Sequence, residues 1–156
     1  MRRTILLLCT HGVALVLGFA LGIYTLPILI APEAPDDQAV SSAAGNALFT
    51  GTFRRDLKDS DALHWGEGTV TIGPNRIVLQ GRLSPGPDYK LYLSPAFVET
   101  EADFARLKPQ MQRVGDVKTF ENFIVDLPPG ADPQRFNTVI VWCETFGEFI
   151  TAAQYR

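Results

Sequence analysis

The sequence has few of the side chains that carry most enzyme chemistry. Its 156 residues include two cysteines, two histidines and two methionines. It contains no Cys-x-x-Cys, no His-x-His or His-Glu-x-x-His motif, and no glycine-rich phosphate loop joining a strand to a helix. These absences argue against a self-contained hydrolase or metalloenzyme, and we expect no metal site.

Positive charge is also sparse, and it is scattered. The formal net charge is -3, and all 17 acidic residues follow the apolar N-terminal run, whereas Arg2 and Arg3 precede it. A nucleic-acid-binding domain needs clustered lysine and arginine side chains to neutralise phosphates. Nucleic acid is therefore not an expected partner.

Residues 4–26 form a nearly uninterrupted apolar run. As a helix this run spans roughly 35 Å, enough to cross a bilayer. The arginines before it and the acidic residues after it predict a cytoplasmic N-terminus and an exoplasmic C-terminal domain, periplasmic in a bacterium. We interpret residues 1–30 as an uncleaved signal anchor. The alternative is a cleavable signal peptide, but the run is long for one and Ile28-Leu29-Ile30 before Ala31 is a poor cleavage site.

Residues 31–47 are rich in Pro, Asp, Ser, Ala and Gln. Such a composition buries little apolar surface, so we predict a flexible linker.

From residue 48 to residue 156 the chain alternates short apolar runs with turn residues. The alternation predicts strands at 48–53, 69–72, 76–83, 89–93, 114–120, 123–127, 139–143 and 149–155. One short helix is expected at 100–107, with Thr100 as its N-cap and Asp103 completing a capping box. Strands without alternating helices predict an all-β domain, an antiparallel β-sandwich or barrel of about seven to eight short strands.

The run at 139–143 is apolar at every position, which is typical of a strand buried on both faces. Side chains alternate along a strand, so Val139, Val141 and Cys143 share one face, and Ile140 and Trp142 the other. Cys143 thus ends a buried row of the predicted central strand.

Cys143 is the only cysteine outside the N-terminal apolar run, so the folded domain cannot form an internal disulfide. An unpaired cysteine in an exported domain indicates intermolecular pairing or a free reactive thiol. The alternative is a small buried hydrophobic residue, as most free cysteines are. Glu144 and Glu148 favour that alternative, because negative charge raises a thiol pKa.

Four stretches together resemble a known family: Gly-Thr-Phe at 51–53, His-Trp-Gly-Glu-Gly at 64–68, Leu-Ser-Pro-Gly-Pro-Asp-Tyr-Lys-Leu-Tyr-Leu at 83–93, and Val-Ile-Val-Trp-Cys-Glu-Thr-Phe-Gly at 139–147. They resemble the DM-thirteen electron-transfer domain over residues 49–156. The resemblance implies a β-fold and redox chemistry at a cysteine, acting as a bare thiol or as a ligand to a prosthetic group such as haem. That cysteine corresponds to Cys143. The family's usual Lys-Gly pair is Lys118-Thr119 here.

If a cofactor is bound, His64 is the candidate for an axial imidazole opposite Cys143, and Met111 is the only other soft ligand in the domain. Alternatively, His64 and Trp65 belong to a loop that packs over the edge of the sandwich. Haem follows from the resemblance alone and is not expected from the residues, because it needs an apolar pocket that is large for so small a sandwich.

The sequence thus predicts a membrane-anchored redox component with Cys143 as its reactive group, rather than a stand-alone enzyme. Its expected partners are the membrane, through the N-terminal helix, and an unidentified redox or protein partner, with a homodimer as another option. The alternative function is a structural or protein-binding β-module in which Cys143 is inert.

Overall fold

The computed structural model describes all 156 residues and contains eight strands in two antiparallel sheets. The strands are β1 (Phe49–Phe53), β2 (Gly66–Ile72), β3 (Arg76–Leu83), β4 (Tyr89–Ser94), β5 (Gln112–Val117), β6 (Glu121–Asp126), β7 (Thr138–Cys143) and β8 (Glu148–Gln154). One sheet has the order β1-β2-β3-β6 and the other β5-β4-β7-β8. The edge strands also meet, β1 with β8 and β5 with β6. The predicted all-β sandwich is confirmed, and its touching edges bring it close to a flattened barrel.

The helices are α1 (Arg2–Ile30), α2 (Asp37–Ala44) and α3 (Glu101–Leu107). The most apolar 18-residue window of α1 has a mean hydropathy of 2.4, so by length and composition α1 can cross a membrane. Its C-terminal end, from Ala20 onward, lies beside the end of the sandwich that carries the loop before β4, and the two line shared cavities.

Strand β7 is buried at all six positions, as predicted. Val139, Val141 and Cys143 face the core between the two sheets. Ile140 and Trp142 face a second apolar cluster on the outer side of the same sheet. Each face of the central strand is therefore covered by a different layer.

Helix α3 supplies that outer layer. Thr100 caps it as predicted, since its Oγ1 accepts a hydrogen bond from the Asp103 N–H at 3.1 Å and donates one to the Asp103 carboxylate at 3.0 Å. Phe104 of α3 stacks on Trp142 with ring centroids 3.8 Å apart and meets the Tyr92 ring edge to face. The same helix covers Tyr92, which faces outward from β4 and is only 6% exposed.

The predicted flexible linker differs from the structure, because part of it forms α2. The Asp36 carboxylate caps this helix by accepting a hydrogen bond from the Ala39 N–H at 2.7 Å. Val40 is 1% exposed against the sandwich, and the Asn122 side-chain amide donates to the Pro35 carbonyl at 3.1 Å and to the Asp37 carboxylate at 3.2 Å. One apolar anchor and two polar contacts thus hold a segment whose composition indicates a flexible spacer.

Strand β2 begins at Gly66, before the predicted residue 69. Gly68 has a φ of +125°, a value that residues with a Cβ rarely adopt, and it pairs with Gly81 of β3. A Cβ on Gly81 would collide with the Glu67 carbonyl oxygen. These two glycines allow the two strands to approach closely.

Candidate functional site

Cys143 is the last residue of β7 and pairs across the sheet with Tyr89 of β4. It is 2% exposed and belongs to the core between the sheets. The other cysteine, Cys9, is exposed on α1, and both thiols are free. Any chemistry at Cys143 must therefore reach its sulfur through an internal space.

Such a space exists at this end of the sandwich, as a cavity of about 320 Å³ that opens between the β-domain and α1. Cys143 and His64 both line it. The remaining lining residues are Ala20, Ile23 and Tyr24 of α1 together with Leu63, Pro85, Gly86, Pro87, Tyr89, Phe146, Glu148 and Ile150. Met111, the other soft ligand considered, packs instead against the cluster under α3. The structure thus brings two of the three candidates together.

The His64 ring is oriented by a neighbouring carboxylate. Its Nδ1 lies 3.1 Å from Asp61 Oδ2, and the other Asp61 oxygen accepts hydrogen bonds from the backbone N–H groups of Leu63 and His64, both at 2.7 Å. A protonated Nδ1 that donates to Asp61 leaves Nε2 as an acceptor. In catalytic histidines, a hydrogen bond from one ring nitrogen to a carboxylate fixes the tautomer in the same way.

Two opposing influences act on the Cys143 thiol. Burial raises its pKa above the usual range, and the Asp88 carboxylate adds to the rise. Backbone groups of Phe146, Asp88 and Thr145 act in the opposite direction and lower it, but burial outweighs them. The pKa of the Cys143 thiol is therefore raised, which favours its protonated form.

Glu144, which the sequence placed beside the thiol, engages different partners. Lys108 Nζ donates to both of its carboxylate oxygens, at 2.8 and 3.0 Å, and the Tyr92 hydroxyl donates to it as well. Burial raises the pKa of the Glu144 carboxyl, but the hydrogen bonds from Lys108 and Tyr92, with the positive charges of Lys108 and Arg113, outweigh burial and lower it. Its charge is thus largely compensated on the α3 side of the sheet.

A protein-family model described as Electron transfer DM13 matches residues 53–155. The chain belongs to the electron transfer DM13 family. The resemblance seen in the sequence is therefore confirmed. Comparisons with curated proteins and with solved structures found no match.

In this DM13 domain the residues around Cys143 do not fit haem. The cavity is at the lower limit of small-molecule pockets, which run from about 300 to 1,000 Å³. No lysine or arginine lines it to pair with the haem propionates, and Glu148 adds a negative charge. No group of three or more His, Cys, Asp or Glu side chains in the chain is arranged to hold a metal ion.

The sequence interpretation of the candidate site did not include three residues that the structure places around Cys143 and His64. Asp61 orients His64, and its only sequence signal is an Asp-x-x-His spacing within a turn. Tyr89 was recognised as a strand residue, but its position opposite Cys143 depends on the pairing of β4 with β7. Tyr24 lies in the apolar helix, and only the packing of α1 on the domain brings it to the cavity.

Proposed function

We propose that this chain is a membrane-anchored redox protein in which Cys143 exchanges electrons with a partner. The observation that carries this proposal is the shared cavity, which brings the sole cysteine of the β-domain together with its sole histidine. Membership in an electron-transfer family supports it independently.

The arrangement suits two-electron thiol chemistry. His64, oriented by Asp61, lines the same cavity as Cys143 and accepts the proton of its thiol. With a peroxide as oxidant, the sulfur gains one oxygen, the O–O bond breaks, and the products are a sulfenic acid and water. A thiol of a partner protein or of a second copy then displaces water and forms a mixed disulfide.

A second candidate function is supported by the burial of Cys143. At 2% exposure, within the main core and with a raised pKa, this cysteine has the environment of an inert hydrophobic residue. The protein would then be a structural or protein-binding β-module.

Oxidation of the native protein separates the two functions. In full-length Cys9→Ser, Cys143 is the only thiol, so peroxide followed by dimedone should yield one adduct, located at residue 143 by mass spectrometry. We expect the adduct to form faster than the protein unfolds globally. We also expect His64→Gln to slow alkylation of Cys143 by about tenfold or more, because the thiol loses its base.

His11→Gln is the matched control, since it removes the other histidine of the chain, and it should leave the alkylation rate unchanged. Cys143→Ser should abolish the adduct. Because its hydroxyl would be buried in the core between the sheets, this variant should lose some stability under either function. Alkylation only as fast as global unfolding would establish the inert module instead.

We further propose that α1 is a retained signal anchor and that the β-domain is exoplasmic, periplasmic if the source is bacterial. Arg2 and Arg3 precede the apolar run, and no acidic residue does. Mass spectrometry of the membrane-extracted protein should find residues 1–30 present. In intact cells, an impermeant amine reagent should label lysines of the β-domain. A mature N-terminus near Ala31, or labelling only after lysis, would contradict this topology.

A further inference from the structure

The cavity beside Cys143 lies at the height of a membrane surface. About 20 helical residues cross the hydrocarbon core of a bilayer, which is about 30 Å thick. Counted from Thr4, this length ends near residue 23. The next residue is Tyr24, and tyrosine is enriched at the membrane–water interface. Because Ile23 and Tyr24 both line the cavity, its α1 side lies at the boundary between the lipid headgroups and the hydrocarbon.

The rim of the cavity on the domain side is apolar and unusually exposed. Leu63 is 55% exposed and Phe146 is 50% exposed, and both line the cavity. They come from separate loops, the segment before β2 and the turn after β7. Two large apolar side chains at the height of Tyr24 give the cavity an opening continuous with the bilayer.

The charges around the cavity select against anionic lipids. No lysine or arginine lines it, whereas Glu148 does. A hydrogen bond with Glu148 also raises the pKa of the Glu101 carboxyl, which indicates that acidic groups are crowded on this side. A fatty-acid carboxylate or a phospholipid phosphate would be repelled here. The occupant should be neutral.

The polar groups that remain are suited to a ligand with hydrogen-bond acceptors. The Tyr24 and Tyr89 hydroxyls and the Cys143 thiol, which can each donate a hydrogen bond, all belong to lining residues. Among neutral molecules that dissolve in membranes, a quinone combines carbonyl acceptors with redox activity. When Cys143 and a partner thiol form a disulfide, two S–H bonds break, and the two electrons and two protons convert a quinone to a quinol.

We propose that this cavity binds the ring of a lipid-soluble quinone that enters from the bilayer. The proposal rests on the redox function and the membrane anchoring proposed above. A volume of about 320 Å³ accommodates a substituted ring, and the prenyl tail remains among the lipid chains through the opening beside Leu63 and Phe146.

Photoaffinity labelling of the full-length protein in lipid nanodiscs tests this site. The probe is an azido-benzoquinone with a decyl tail, and labelled peptides are mapped by mass spectrometry. We expect saturable labelling of peptides that contain Tyr24, Leu63 or Phe146, and competition by the unlabelled decyl quinone. The double variant Leu63→Ser, Phe146→Ser should reduce labelling several-fold. Phe97→Ser, which changes an exposed phenylalanine that does not line the cavity, should not.

A photoactivatable neutral diacylglycerol probe provides the comparison with bulk lipid. If it labels the same peptides and the quinone does not compete, the cavity is filled by lipid chains and the proposal is wrong. Labelling should persist in Cys143→Ser, which separates the two proposals. If Cys143 is unreactive but quinone labelling is saturable, only the proposed redox function is wrong. If Cys143 is reactive but no saturable labelling is found, only the proposed quinone site is wrong.

Discussion

Val141→Asp should prevent the β-domain from folding. Val141 is 0% exposed at the middle of β7, where it belongs to the apolar core between the sheets. An unpaired buried carboxylate costs several kcal/mol, a large share of the roughly 5–15 kcal/mol that stabilises a typical domain. We expect the variant to lose its near-UV circular dichroism and its cooperative urea transition.

Thr69→Asp is the control, because it places the same carboxylate on an exposed position of β2. It should keep the cooperative transition and lose no more than about 1 kcal/mol, the range of β-propensity differences. A folded, cooperatively unfolding Val141→Asp protein would mean that β7 is not the central strand.

Phe104→Ala should destabilise the domain by about 3–5 kcal/mol, the usual cost of truncating a buried phenylalanine. The Phe104 ring is fully buried, stacks on Trp142 and contacts Tyr92 edge to face. Its loss leaves a cavity under α3 and removes the main contact of that helix with the sheet. Urea denaturation followed by tryptophan fluorescence measures the change, with Trp142 as a reporter at the site.

Phe97→Ala makes the same chemical change in a side chain that is 37% exposed. It should cost less than about 1 kcal/mol, as surface substitutions usually do. Equal effects of the two substitutions would show that α3 is not held by its aromatic contact with β7.

The strands were predictable because their signals are local. Alternation assigned Val141 and Cys143 to one face of β7 and Trp142 to the other, and the structure confirms both faces. The capping box at Thr100 was predictable for the same reason, since both hydrogen-bonding partners lie within one helical turn. In contrast, the early start of β2 was missed, because Gly68 and Gly81 acquire their role only when the two strands pair.

The site was only half predictable. The sequence identified Cys143 and His64 as candidates by their scarcity, but it contained no measure of the distance between them. Their meeting depends on the pairing that places Cys143 beside Tyr89 and on the turn that Asp61 builds around His64. Burial of the thiol was equally a tertiary result, since the end of a strand can lie either at the surface or beneath neighbouring loops.

By itself, the sequence determined that the domain has eight strands and roughly where each lies, which face of β7 each side chain occupies, and where an apolar helix long enough to cross a membrane lies. These properties follow from periodicity, turn chemistry and hydropathy, which act over a few neighbouring residues. The tertiary structure alone decided that α2 docks through Val40, that α3 covers Tyr92, and that the Cys143 cavity faces α1. Such contacts join segments that are distant in the chain. They arise from the packing of sheets and helices, so no pattern in the local sequence predicts them.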